Sequence, residues 1–220
     1  MNNASLAPGQ DHYSRWSVNI KSHWSTAYLM NRYKEYMYRK KNPKNPWLTQ
    51  DAIKILASII KPSDSILEFG SGRSTMWFAE RAAHITSMES NPDWFKVVQQ
   101  NLVSYQSQVK LILIEESPVW LKKYSEAIKQ IAPGTIDICL VDGGPRALSA
   151  LASLRTLKSG GYMVIDNANW FFPTHSKSPS SIRTWEEVDP LFKEFYEQVK
   201  NWRVIWTSNG VTDTAIYIKP

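Results

Sequence analysis

The sequence is poor in cysteine and has no long apolar run. Cys139 is its one cysteine, which excludes a disulfide within the chain, and its place in the run IDICLV is typical of a small core residue. No run approaches the roughly 20 apolar residues that span a bilayer. The opening MNNASLAPGQDHYSRW also lacks the apolar segment of a secretory signal. These absences predict a cytoplasmic protein with no membrane partner.

Basic residues outnumber acidic ones, 26 to 20, which gives a net charge of +6. Two interpretations are open: a site for nucleic acid or another anionic partner, or a solvated basic face, which we favour. The excess is concentrated early in the chain, in Arg32, Lys34, Arg39, Lys40, Lys41 and Lys44.

Composition divides the chain in two. Residues 1–47 are aromatic and basic, and we interpret them as an appended arm or lid. A helix is predicted over 25–41, with Leu29, Tyr33, Tyr36 and Met37 on one side. The prolines of KNPKNPW end it. Residues 48–220 are enough for one core and start with a helix that Thr49 caps.

Strand-like and helix-like segments then alternate, which predicts a parallel sheet with helices on both faces. A first strand is expected at the apolar run Ile66-Leu67, which ends in Glu68, and further strands at 84–89, 109–114, 136–141 and 161–165. A helical region follows at 184–200, opened by a capping box of Thr184 and Glu187 and restarted at Asp189-Pro190. The last runs, RVIWT and TAIYI, are joined too closely for a crossover helix, so they predict an antiparallel hairpin.

The stretch SILEFGSGRST, residues 65–75, is typical of a strand, a glycine turn and a helix start. Ordinary loop glycines are the alternative interpretation. Glu68 lies where a dinucleotide's pyrophosphate would be repelled, and Thr75 takes the third small position of such a turn. An acid at a strand end suits a positively charged ligand, such as the ammonium group of an amino acid.

These residues resemble the first motif of class I S-adenosylmethionine-dependent methyltransferases, an acid, one apolar residue and Gly-x-Gly. The resemblance implies a doubly wound, seven-stranded α/β/α fold ending in an antiparallel hairpin, with S-adenosylmethionine as cofactor. It also implies room for the methionine part at the glycines and an ammonium site at Glu68, direct or through water. The implied cofactor-binding residues are Glu68, Gly70, Ser71, Gly72, Thr75, Glu89, Ser90, Glu116, Ser117 and Asp142.

Within that set, Glu89 follows Gly70 by 19 positions, near the spacing at which an acid meets a ribose diol. Glu116-Ser117 corresponds to the family's adenine contact. Asp142 ends the fourth strand, which in the family is the position nearest the departing methyl group. Glu89 and Glu116 have an alternative role as caps of the helices that follow.

Asp142, Asp166 and Asn167 end neighbouring strands and supply oxygen ligands suited to Mg²⁺. They resemble the metal site of catechol and caffeoyl-CoA type O-methyltransferases, although an Asp-Asn pair is also a plain turn signal. Those enzymes have a lysine where this chain has Pro145, and the neighbouring Arg146 stays protonated and cannot act as a base. The candidate bases are therefore Asp142 and His175.

The segment 168–183 is long and rich in serine and proline, which is typical of a lid or binding loop. Trp170, Phe171 and Phe172 would either meet the aromatic arm over the pocket or pack the arm onto the domain. We predict methyl transfer to a small-molecule acceptor, at an oxygen. Two alternatives remain: an RNA methyltransferase or RNA-binding protein that uses the basic arm, and an NAD-binding or noncatalytic protein of the same fold.

Overall fold

A computed structural model describes residues 25–220 of the chain. The predicted arm aromatics Tyr13, Trp16 and Trp24 lie outside this range. The α-helices are α1 Thr26–Lys41, α2 Gln50–Ile59, α3 Arg73–Ala79, α4 Pro92–Asn101, α5 Trp120–Lys129, α6 Arg146–Ser153 and α7 Pro190–Val199. The strands are β1 Ser65–Phe69, β2 His84–Glu89, β3 Val109–Leu113, β4 Ile136–Val141, β5 Leu157–Asp166, β6 Arg203–Ser208 and β7 Asp213–Ile218.

The strands form one seven-stranded sheet in the order β3-β2-β1-β4-β5-β7-β6. Neighbours from β3 to β5 pair in parallel, whereas β7 is antiparallel to both β5 and β6. The predicted doubly wound sheet with its terminal antiparallel hairpin is therefore confirmed. This strand order brings the carboxyl ends of β1, β4 and β5 side by side, and ligands bind at that edge in open α/β sheets.

Two apolar layers cover the sheet because side chains along a strand point alternately to opposite faces. In β1, Leu67 packs on the side of α5, α6 and α7, and its neighbour Ile66 packs on the side of α2 and α3. Cys139 lies fully buried in the first layer, as predicted.

Helix α1 forms as predicted. The side that carries Leu29, Tyr33 and Tyr36 is exposed, whereas Glu35 is buried. Arg32 and Arg39, one turn to either side on the same helix, bond to the Glu35 carboxylate, and this pairing makes its burial tolerable. The contact of the helix with the apolar layer of α2 and α3 includes Tyr38, which is partly buried there.

One element boundary differs from the prediction. Strand β5 begins at Leu157, four residues before the predicted start, and includes Gly160 and Gly161. The helical region at 184–200 opens with a short 3₁₀ turn, Trp185–Glu187, at the predicted capping box, and α7 restarts it at Asp189-Pro190, as predicted.

The loop after β5 is tied to the domain. Phe171 stacks on Phe192 with ring centroids 4.7 Å apart, and Phe172 meets the same ring at 5.1 Å. Farther along, the hydroxyls of Ser176 and Ser178 donate to Asp213 Oδ1, at 2.9 and 2.6 Å. The two phenylalanines are therefore core residues, and the interpretation of the loop as a lid stays a prediction.

No helix within residues 25–220 is both long and apolar enough to cross a membrane.

Candidate active site

The glycine turn after β1 is built against the loop after β4. Gly70 has φ +91°, a conformation that side-chain-bearing residues rarely adopt. A Cβ placed on Gly70 would lie 2.7 Å from the Gly143 nitrogen, so the two backbones touch. The positive φ that a sharp glycine turn predicts is confirmed at Gly70, and the close approach of the neighbouring loop is a second requirement that the sequence did not show.

Glu68 lies beneath the turn and is fully buried. Its Oε2 accepts hydrogen bonds from the hydroxyls of Thr75 and Ser87, each at 2.5 Å. Burial raises the pKa of the Glu68 carboxyl to about 7, and these hydroxyls oppose part of that rise. Direct contact with a ligand ammonium is contradicted, so a contact through water is the part of the Glu68 prediction that remains.

Thr75 is also fully buried, which contradicts a direct contact with cofactor. Its hydroxyl accepts from the Gly72 N–H at 2.8 Å while donating to Glu68, so Thr75 joins the buried acid to the turn.

Glu89, at the end of β2, holds the other side of the turn. Its Oε2 accepts from the Ser71 N–H at 3.0 Å and from the Ser71 hydroxyl at 2.9 Å. Its Oε1 accepts from the N–H groups of Ser90 and Asn91, each at 2.8 Å. The carboxylate is thus oriented by four protein donors, and a ribose hydroxyl would have to replace the Ser71 hydroxyl. The ribose role of Glu89 stays a prediction.

A cavity of about 250 Å³ opens over this turn, and we call it the glycine-turn cavity. Trp94 forms one wall and donates from Nε1 to the Ser71 carbonyl at 2.8 Å. Trp47 forms another wall, and two guanidinium groups lie over its ring, Arg39 at 4.8 Å and Arg73 at 5.4 Å from the ring centroid. The lining residues are Trp47, Gly70, Ser71, Gly72, Arg73, Ser74, Trp94 and Asp142.

A second cavity, of about 500 Å³, lies beside the first and shares Trp47 and Asp142 with it. We call it the arginine cavity because three guanidinium groups line it. Its lining residues are Arg32, Glu35, Arg39, Trp47, Asp142, Arg146, Asp166, Asn167, Trp170, Val211 and Thr212.

Arg146 joins the three residues that were predicted to hold a metal. Its Nη1 donates to Asn167 Oδ1 at 3.0 Å and to the Asp166 carbonyl at 2.8 Å. Its Nη2 donates to Asp142, to the carbonyl and to Oδ1, the latter at 3.2 Å. The guanidinium therefore uses the oxygens that a cation would need, and these residues do not fit a Mg²⁺ site.

Other observations agree with that correction. In the described part of the chain, no group of three or more His, Cys, Asp or Glu side chains is arranged to hold a metal ion. Asp166 Oδ1 accepts from the Thr214 hydroxyl at 3.0 Å, and Asn167 Nδ2 donates to Thr212 at 2.6 Å. The Asp-Asn pair is thus engaged by β7 and the turn before it.

Asp142 and Asp166 lie in an environment that disfavours two negative charges. Burial raises the pKa of Asp142, and Arg146 counteracts part of this. Burial, followed by repulsion from Asp142, raises the pKa of Asp166 well above its usual range. Asp142 is the member of the pair that reaches both cavities.

The structure does not bring every predicted residue to these cavities. His175 is exposed on the loop after β5 and lines neither of them. Glu116 is exposed and Ser117 half-buried before α5, also away from both. The acids at the strand ends therefore do not form one rim facing a ligand: Glu68 is beneath the turn, and Asp142 and Asp166 face the arginine cavity.

Sequence reasoning did not identify Trp94 or the arginines as residues of these cavities. Arg146 had a detectable signal, since it follows Asp142 by four positions at the start of a predicted helix. Trp47 and Arg39 belong to the predicted aromatic and basic arm, but their individual positions depend on how α1 packs.

Comparison with known proteins supports the fold assignment. No protein-family model matches the chain. It is 32% identical over 114 residues to a Methanobrevibacter smithii protein provisionally assigned as a cobalt-precorrin-6B C(15)-methyltransferase (decarboxylating). This match includes 50% of the chain and 57% of the relative, so the chain spans little more than half of that relative's length.

Two solved structures share the fold at lower identity. One is a Staphylococcus aureus protein provisionally assigned as a caffeoyl-CoA O-methyltransferase: TM-score 0.56, 19% identity, 94% of this chain and 98% of that one. The other is a Streptococcus mutans protein, provisionally assigned as a methyltransferase, in complex with SAH: TM-score 0.52, 12% identity, 76% of this chain and 94% of that one. Together with the strand order and the glycine turn, these likenesses confirm the predicted resemblance: the chain has the fold of the class I S-adenosylmethionine-dependent methyltransferases.

Proposed function

We propose that this protein transfers a methyl group from S-adenosylmethionine to an oxygen of a small-molecule acceptor. The observation that carries the proposal is the pair of adjoining cavities at the carboxyl ends of β1, β4 and β5. One opens on the glycine turn, the other on the arginines, and Asp142 and Trp47 line both. A donor and an acceptor held in adjoining spaces can react without free diffusion, which supplies much of the rate in such reactions.

The glycine-turn cavity suits a cofactor with a positive centre. Gly72 contributes no side chain, and the ring of Trp94 supplies a π face that attracts a cation. Asp142 adds a carboxylate at the border with the second cavity. S-adenosylmethionine would bring the activated methyl group, and these residues would orient its sulfonium toward the arginine cavity.

Asp142 is the residue we assign to proton removal from the acceptor. It lies at the junction of the cavities, and its raised pKa makes the carboxylate a stronger base than an exposed aspartate. Arg146 holds Oδ1 and the main-chain carbonyl of Asp142, which fixes the direction of the carboxylate. His175 is too remote in this structure to share that role.

A carbon acceptor is the second candidate, because the Methanobrevibacter smithii relative is provisionally assigned as a C-methyltransferase. Product analysis separates the two candidates. Once an acceptor turns over, the carbon chemical shift of a ¹³C-labelled methyl group tells an O-methyl from a C-methyl product.

Calorimetry with S-adenosylhomocysteine tests the cofactor part. We expect saturable one-to-one binding by the wild type and at least tenfold weaker binding by Glu89→Gln, which loses a carboxylate oxygen at the predicted ribose contact. Glu115→Gln, on an exposed residue outside both cavities, is the matched control. No binding by the wild type would overturn the proposal, and equal affinity in Glu89→Gln would remove the ribose assignment.

A further inference from the structure

The wall that α1 contributes to the arginine cavity carries an unusual arrangement of charge. Arg32, Glu35 and Arg39 follow one another at spacings of three and four, so they share one face of the helix. Arg32 Nη1 donates to Glu35 Oε2 at 3.2 Å, and Arg39 Nη2 donates to Glu35 Oε1. One buried carboxylate thus bonds two guanidinium groups at the cavity wall.

Arg39 is held in place from two directions. Glu35 bonds one of its amino groups, and the ring of Trp47 stacks 4.8 Å from its Cζ. A guanidinium has five N–H donors, and the Glu35 bond uses one of them. The side chain remains 33% exposed, so its other donors can reach a ligand without leaving this arrangement. A pre-oriented guanidinium loses less conformational entropy when it binds an anion.

The floor of the same cavity holds a third guanidinium. Arg146 is bonded to Asp142 and Asn167 and lies over the ring of Phe171 at 5.7 Å. Its donors are therefore directed at protein oxygens, whereas Glu35 leaves donors of Arg39 unused at the α1 wall. An anionic group entering the cavity would meet these donors of Arg39.

We propose that the acceptor carries an oxyanion, a carboxylate or a phosphate, which binds to Arg39 in the arginine cavity. This inference rests on the proposed function, because it treats the arginine cavity as the acceptor site. The anion would anchor the acceptor at the α1 wall and leave its reacting oxygen beside Asp142. Arg39 would thus act as a positioning residue that selects the acceptor.

A small anion fits this site better than a nucleic acid strand. The space is about 500 Å³, within the range of small-ligand pockets, and it is bounded by Trp170, Val211 and Thr212 as well as by α1. The lysines that would extend a phosphate track, Lys34 and Lys40, are exposed and do not line it.

The test compares benzoate, phenyl phosphate and the uncharged benzamide, each titrated into the full-length protein and followed by ligand-observed NMR. We expect benzoate or phenyl phosphate to bind at least tenfold more tightly than benzamide. Which of the two binds more tightly identifies the preferred oxyanion. Arg39→Gln should lower the affinity for the preferred anion at least tenfold. Arg39→Lys keeps the charge but loses the paired N–H donors of the guanidinium, so its affinity should lie between those of the wild type and Arg39→Gln.

Lys40→Gln is the matched control, since it removes a neighbouring charge on the exposed side of α1 and should change anion affinity less than twofold. Thermal unfolding establishes that each variant is folded. Equal affinity for anions and benzamide, or equal losses in Arg39→Gln and Lys40→Gln, would overturn the inference. So would a preference for a single-stranded RNA oligomer that Lys40→Gln abolishes.

Failure here is distinguishable from failure of the proposed function. The glycine-turn cavity does not include Arg39, so Arg39→Gln should bind S-adenosylhomocysteine within threefold of wild type. Cofactor binding without any anion preference refutes only the acceptor class. Anion binding without cofactor binding refutes the methyltransferase proposal and leaves an anion site.

Discussion

Two alanine substitutions two positions apart should separate the structural glycine of the turn from the ligand-facing one. At Gly70, alanine must adopt φ +91°, and its Cβ would lie 2.7 Å from the Gly143 nitrogen. A disfavoured backbone conformation costs on the order of 1–3 kcal/mol, and overpacking a rigid contact adds roughly 1–3 kcal/mol. We therefore expect Gly70→Ala to lower the free energy of unfolding by about 3 kcal/mol.

At Gly72 the same substitution meets an open space. Its φ of 167° is ordinary extended backbone, and the nearest atom to an added Cβ is a ring carbon of Trp94 at 3.8 Å. Alanine is a weaker helix cap, which costs less than about 1 kcal/mol. The new methyl group would enter the glycine-turn cavity, so we expect Gly72→Ala to fold normally and to bind S-adenosylhomocysteine at least tenfold more weakly.

Thermal unfolding and calorimetry on both variants test this pair. For a chain of this size, about 3 kcal/mol corresponds to a fall in Tm of roughly 6–12 °C, whereas Gly72→Ala should change Tm by less than about 4 °C. Unchanged stability of Gly70→Ala would refute the backbone contact. Wild-type affinity in Gly72→Ala would refute the placement of the cofactor.

Three further predictions follow from the buried acids and from Arg146. Burial raises the pKa of Glu68 from 4.5 to about 7. The stability that goes with its neutral carboxyl group is therefore fully present below pH 4.5 and is lost as the pH rises through 7, where the buried group ionises. Urea unfolding should therefore show Glu68→Gln matching wild type near pH 4.5 and exceeding it by up to about 3 kcal/mol at pH 8, and a constant difference would contradict this. Because Arg146 bonds the predicted metal ligands, EDTA or added Mg²⁺ should change neither Tm nor methyl transfer. Arg146→Met leaves Asp142 unpaired, so it should lose about 3 kcal/mol of stability in the same urea unfolding assay. A metal requirement would show that the guanidinium moves away. Asp213→Ala removes the acceptor of Ser176 and Ser178, so hydrogen exchange should rise across 173–183 and not in α2; unchanged exchange would mean that the phenylalanines alone hold the loop.

Much of the fold was predictable because its signals are local. Alternating apolar runs and glycine turns located the strands, and the short link between RVIWT and TAIYI required a hairpin. The start of β5 was misplaced because Gly160 and Gly161 are usually breakers, whereas here they lie within a strand that pairs on both sides. Local composition cannot reveal that pairing.

The site was predictable only in outline. The sequence located Asp142 and the glycine turn at one edge of the sheet, because strand ends follow from the topology. It did not reveal that Glu68 is fully buried or that Arg146 would fill the predicted metal position. Both depend on where side chains point after packing. The burial of Glu35 in helix α1 was not predicted for the same reason, although its two ion-pair partners lie on the same helix.

The touching backbones of Gly70 and Gly143 have a consequence for anyone who wishes to redesign this protein. This contact holds the loop before α3 against the loop that carries Asp142, so neither loop can be lengthened or shifted without moving the other. Libraries aimed at new acceptors should leave both loops intact and draw their diversity from α1 and the hairpin turn. Residues of both elements line the arginine cavity, and neither element belongs to the two loops that touch at Gly70 and Gly143.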